Sequence, residues 1–144
     1  MSLLFRYTLK EHFYPFIISL FVLIFVLLTN FLLKAIDKFL GKGLSFGVVV
    51  EYVFLNLAWI LALAVPMAVL IASLMAFGRM SGDNEITALR TSGVSYFRLL
   101  FPALVFGAII TAGMTWFNNT VLPETNHKAR LLSGDITRKR PDLE

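Results

Sequence analysis

The sequence predicts an all-α membrane protein, with three membrane-spanning helices and one short helix between the second and the third. Three observations carry that expectation. Of its 144 residues, 58% are hydrophobic and only 15% charged, and the mean hydropathy of +0.77 lies far above that of a soluble domain. The apolar residues come in long blocks rather than at the periods of 2 or 3.6 that a half-buried soluble element needs. Three of these blocks are long enough for a hydrocarbon core of about 30 Å, which takes roughly 20 helical residues.

Composition also excludes several function classes. The chain has no cysteine, hence no disulfide framework and no thiolate metal site. A formal charge of +4 would suit nucleic acid, but the basic residues sit at block ends and in a C-terminal cluster, with no aromatic-basic surface between them. They read as charges flanking a membrane, and no nucleic-acid partner is expected.

Residues 1–12, MSLLFRYTLKEH, place Arg6 and Lys10 at i and i+4, with apolar area from Leu3, Leu4, Phe5 and Tyr7. That pattern fits a short helix lying in the membrane interface, and equally an ordinary charged flank. Residues 13–36 form the first span. Its apolar stretch from Phe16 to Leu33 exceeds a signal-peptide core and no small-residue cleavage site follows, so the span is retained. Residues 37–51 make a loop, 52–77 the second span, 78–98 the short charged helix, 99–117 the third span and 118–144 an extension.

The second span carries AVPMAVLIASLMAF, in which Ala64, Ala68, Ala72 and Ala76 recur every four residues. Small side chains on one helical face let another helix approach closely, and in lipid it is close packing that drives helices together. Pro66 removes a backbone donor and is expected to kink the helix. The third span repeats the device with Gly107 and Thr111, and with Ala108 and Ala112. Asn56, Ser73 and Thr111 read as hydrogen-bonding glue within or between helices.

Within GDNEITALRTSG, Asp83 suits an N-cap, Glu85 the first turn, Arg90 the last turn and Gly93 the left-handed position beyond it. The signals predict a helix of about nine residues, roughly 13 Å long. Glu85 has Ala88 and Leu89 at i+3 and i+4, so no basic neighbour on its own helix satisfies it. A carboxylate left over beside Ile86 and Leu89 fits a docking surface for a separate protein, while a solvated connector would show the same residues.

The string EITALRTSGVSYFRLLFP resembles the cytoplasmic coupling segment of the LptF/LptG family, the permease subunits of the lipopolysaccharide export ABC transporter. Three further places match in order: RYTLKEHFYPF, FLLKAIDKFLGKG and FNNTVLPETNHKARLL. The resemblance implies six spans with a periplasmic β-jellyroll between the third and the fourth. Because this chain stops at ITRKRPDLE, about where that jellyroll begins, it is expected to be the N-terminal half of such a permease and not to transport alone.

The same resemblance implies a multi-pass protein of the cell inner membrane. Its partners would be a cytoplasmic ATP-binding subunit, a paralogous permease subunit, a periplasmic bridge component and lipopolysaccharide itself. The chain has no G-x-x-x-x-G-K-[ST] loop, and the GKG at residues 41–43 lacks the context of one. It is therefore expected to be non-catalytic and to bind no cofactor, with ATP and magnesium held by the partner ATPase. Glu85, Ile86, Leu89 and Arg90 are the implied coupling residues.

Lys34, Lys38 and Lys42 recur every four residues at the end of the first span. By residue type they are anchors that snorkel to the interface. The resemblance assigns the position of Lys34 to the substrate gate, where an ammonium would meet a lipid A phosphate, with Asp37 holding or balancing it. Positive charges divide almost evenly: Arg6, Lys10, Arg79, Arg90 and Arg98 on one side, Lys34, Lys38, Lys42, Lys128 and Arg130 on the other. Charge counting leaves the orientation open, and the resemblance alone makes the N-terminus and residues 78–98 cytoplasmic, and residues 37–51 and 118–144 periplasmic. The competing readings are a membrane scaffold or assembly protein, and a permease of another ABC system with different lipid cargo.

Overall fold

A computed structural model describes residues 2–39 and 46–138. They form four helices, α1 (Ser2–Phe39), α2 (Phe46–Gly82), α3 (Glu85–Thr91) and α4 (Tyr96–Arg138), and no strand occurs among the described residues. Three stretches are long and apolar enough to cross a membrane: Leu3–Ile36, Phe46–Gly82 and Tyr96–Asp135. A helix satisfies every backbone donor and acceptor within one segment, so a block apolar on all sides takes this form when lipid is its solvent. Large side chains such as Phe21, Phe25, Leu74 and Trp116 accordingly stand exposed along these helices.

The helices are longer than the spans that hydropathy marks out. Residues 1–12 are not set off as a segment of their own, because α1 runs unbroken from Ser2 into the first span. The second span is extended at both ends, taking in residues 46–51 of the expected loop and residues 78–82 of the expected short helix. The third span continues as helix through Pro123 to Arg138. At 1.5 Å per residue its 43 residues reach about 64 Å. Pro15 and Pro66 both lie inside helices that continue past them.

Contacts divide the chain into two compact units, Met1–Leu23 with Ala64–Met114 and Ile24–Leu63 with Thr115–Glu144. In the first, Phe16, Ala68, Ala72 and Phe106 form the buried cluster, with Leu9, Leu20, Leu23, Val65, Val69 and Ile110 packed against it. Ala64, Ala68 and Ala72 are 0% exposed and Ala76 1%. Their missing side-chain bulk allows the Ser19 hydroxyl of α1 to reach the Ala68 carbonyl of α2 at 3.3 Å. Phe16 and Phe106 meet edge to face with centroids 5.4 Å apart, the arrangement that ring quadrupoles favour.

Gly107 behaves differently from that alanine row. A Cβ added there would meet nothing within 4 Å, and Ala108, Thr111 and Ala112 lie on exposed positions. These small residues of α4 therefore face away from the other described helices of the first unit. In the second unit, Phe31 of α1 stacks on Tyr52 of α2 at 5.6 Å, and Ala35, Ala58, Ile60 and Ala129 are buried.

Candidate functional site

The connection from α2 to α4 builds the first candidate site, within the first unit. Asp83 is not the N-cap of α3. Its amide still donates to the Arg79 carbonyl at 2.9 Å, so it ends α2, and the cap position falls to Asn84. Asn84 is left-handed, with φ 58° and ψ 13°, and makes no side-chain cap bond. A short turn between two helices needs one residue of that hand, and asparagine tolerates it better than most.

The other end of α3 closes as its glycine suggests. Gly93 has φ +86°, its amide donates to Arg90 at 3.0 Å, and that of Val94 donates to Leu89 at 3.0 Å. These two bonds make a Schellman closure. The helix is thus seven residues long rather than about nine, and none of its residues is buried. Ile86 and Leu89 are half-buried, and Arg90 is exposed with its guanidinium 3.6 Å from the centre of the Tyr96 ring, a cation–π contact.

Glu85 is not left over. The Tyr7 hydroxyl donates to its two carboxylate oxygens at 2.9 and 3.0 Å. A second bridge to α1 lies nearby, where Arg79 of α2 pairs with Glu11. Tyr7 and Glu11 share one face of α1 at i and i+4, so one face of α1 holds the end of α2 and the start of α3. Helical spacing sets Glu85 only against its own helix and gives no sign of Tyr7, which reads in the sequence as apolar area. The spacing of Tyr7 and Glu11 was visible, but nothing marked α3 as their partner.

Next to this cluster, His12 is fully buried. Its Nδ1 lies 2.8 Å from the Thr8 carbonyl, and since a carbonyl only accepts, Nδ1 carries the proton. Its Nε2 and the Thr8 hydroxyl oxygen are buried without partners among the described residues. Phe77 and Phe106 enclose the ring, at 4.9 and 6.4 Å between centroids.

The second candidate site lies within the other unit. Leu27, Asn30, Phe31 and Lys34 of α1, Leu55, Asn56, Trp59 and Ile60 of α2, and Leu122, Thr125, Asn126 and Ala129 of α4 line a cleft of about 630 Å³. Lys34 is thus placed at a concave site, on the same α1 face as Asn30. Lys42 lies outside the described residues, as do the side chains of Asp37 and Lys38. Asn56 donates to Tyr52 of its own helix at 2.8 Å, and Thr125 to Val121 of its own at 2.9 Å.

A family model described as lipopolysaccharide export system permease LptF/LptG matches residues 6–144. The chain belongs to the LptF/LptG family. No curated protein and no solved structure matches it. As a member of that family this permease has a role in lipopolysaccharide export and belongs with the components of an ABC transporter. Its three long apolar helices agree with a protein of the membrane. The match runs through both candidate sites, including α3 and all three walls of the cleft.

Proposed function

We propose that this chain is a permease subunit that draws lipopolysaccharide from the inner membrane toward a periplasmic bridge, beside a paralogous permease subunit. A separate cytoplasmic subunit hydrolyses the ATP. The observation that carries the reading is α3, a short, unburied helix closed at its C-terminal end and set between two long apolar ones. Such a helix offers an accessible body to a motor protein. Its apolar Ile86 and Leu89 lie one and four residues beyond the Glu85 carboxylate, and Arg90 closes its last turn.

Glu85 retains acceptor capacity for such a partner. An ionised carboxylate has about four lone-pair sites, and the single Tyr7 proton is shared between its two oxygens. An arginine of the ATPase would meet the remaining lone pairs. In this reading the N-terminus and α3 face the cytoplasm, while the cleft with Lys34 lies toward the periplasmic side and takes up a lipid phosphate.

The test is recovery of the ATPase with the affinity-purified full chain at matched expression. Glu85→Ala should lower recovery at least fivefold while membrane insertion stays unchanged, and Arg90→Ala should do less. Wild-type recovery with Glu85→Ala would reduce α3 to a solvated connector.

A further inference from the structure

The first turns of α1 carry two exposed cations that nothing in the first unit neutralises. Arg6 and Lys10 lie at i and i+4, one above the other on the same face. Neither side chain has a hydrogen bond or an ion pair among the described residues. Two carboxylates at this end of the helices are already engaged, since Glu11 pairs with Arg79 and Glu85 accepts the Tyr7 hydroxyl. Together with Leu3, Tyr7, Leu9 and Phe13, the cations line a shallow groove of about 540 Å³ along α1. Leu3 is 81% exposed and Phe13 55%. A solvated charged flank has no need of that apolar area, whereas basic groups mixed with uncovered aromatic and aliphatic side chains suit a segment lying among lipid headgroups. Tyr7 makes one wall of the groove, and its hydroxyl is held on both carboxylate oxygens of Glu85.

Depth along the helix favours a lipid over a soluble anion. At 1.5 Å per residue, Lys10 sits about 4.5 Å beyond Phe13, where the apolar span opens, and Arg6 about 10.5 Å beyond it. The headgroup layer outside the hydrocarbon is about 5–7 Å thick in each leaflet. Lys10 falls within that layer, and the long Arg6 side chain reaches it from one turn further out. A phosphate between them would take the guanidinium through two parallel hydrogen bonds and the ammonium as a point charge. The acyl chains would then run past Phe13 along Ile17 and Phe21, which are exposed on the same side of α1.

We infer that this groove is a site for an anionic phospholipid of the leaflet at the α3 end of the helices, with Arg6 and Lys10 holding its phosphate and Phe13 meeting its acyl chains. Two cations without a counter-ion favour a headgroup of net negative charge. A zwitterionic headgroup brings its own ammonium to the same place and loses much of the attraction. The lipid is a resident of the membrane rather than the exported cargo, so the site stands apart from the function proposed above.

The full chain with its accompanying subunits is placed in phosphatidylcholine nanodiscs that hold a small fraction of phosphatidylglycerol carrying a diazirine at the top of one acyl chain. After irradiation, the adducts are mapped by peptide mass spectrometry. Residues 3–13 should be labelled at least fivefold more by this lipid than by phosphatidylcholine with the same diazirine. Arg6→Gln/Lys10→Gln should lower that labelling at least fivefold, whereas Lys128→Gln/Arg130→Gln, a pair of exposed cations on α4, should leave it within twofold. Arg6→Lys/Lys10→Arg keeps both charges and should keep the labelling, which separates loss of charge from loss of fold. Glycerol phosphate at equal concentration should not compete, which excludes a free phosphate as the ligand. Equal labelling by phosphatidylcholine, wild-type labelling of the glutamine pair, or competition by glycerol phosphate would overturn the site. Labelling that emerges only after the accompanying subunits are stripped away also overturns it, because the face would then belong to a protein partner.

Discussion

Replacing Ala68 with leucine tests whether the alanine row sets the spacing of α1, α2 and α4 in the first unit. Ala68 is 0% exposed and belongs to the cluster with Phe16 and Phe106. Three added carbons have no space to enter, and overpacking of this kind costs about 1–3 kcal/mol. In water, burying the added methylenes would offset part of that cost. In a membrane it does not, because lipid tails are as apolar as leucine and the side chain is out of water either way. Forcing α1 away from α2 also breaks the bond from Ser19 to the Ala68 carbonyl, worth about 0.6 kcal/mol for an average interhelical bond in lipid. The expected loss is about 2–4 kcal/mol, a large share of a typical folding free energy. Unfolding in mixed micelles by a denaturing detergent, followed by circular dichroism, reads it directly. Gly107→Ala is the control, since a Cβ there meets nothing within 4 Å and alanine gains about 0.5–1 kcal/mol of helix propensity. A wild-type midpoint for Ala68→Leu, or an equal loss for Gly107→Ala, would refute the packing argument.

Other expectations follow from the same contacts. Tyr7→Phe removes the hydroxyl that holds Glu85, and a seven-residue helix is too short to persist alone; amide exchange in α3 should quicken severalfold, and unchanged exchange would show the bond to be incidental. His12→Phe loses one bond to Thr8 but removes a buried unpaired nitrogen; since the orphan costs about 1–3 kcal/mol and the bond gives about 0.5–1.5, detergent unfolding should show equal or greater stability. Cysteines introduced at Ser92 and Gly134 into this cysteine-free chain should label oppositely with an impermeant maleimide in intact cells, and labelling of Ser92→Cys from outside would reverse the proposed orientation. Lys34→Asp should impair lipopolysaccharide export much more than Lys42→Asp, whereas equal tolerance would favour plain snorkelling anchors.

The sequence by itself determined the helical class and the three apolar helices, because block length and hydropathy decide what a bilayer can hold. It also determined the C-terminal closure of α3 at Gly93, since a left-handed residue there is a local matter of backbone sterics. The spacing of Ala64, Ala68, Ala72 and Ala76 on one face is equally local, a consequence of 3.6 residues per turn. What those faces meet is not. A helix apolar on all sides has no polar face to show which way it points, so its partners depend on packing that no window of sequence contains. Tyr7 and Glu85 are 78 residues apart, and Ser19 and Ala68 are 49 apart. Asn30 and Asn126 enter one cleft from different helices. Only the tertiary structure could give Glu85 a partner in its own chain and gather lone asparagines around Lys34, because a hydrogen bond depends on distance in space and local periodicity fixes distance only along one helix.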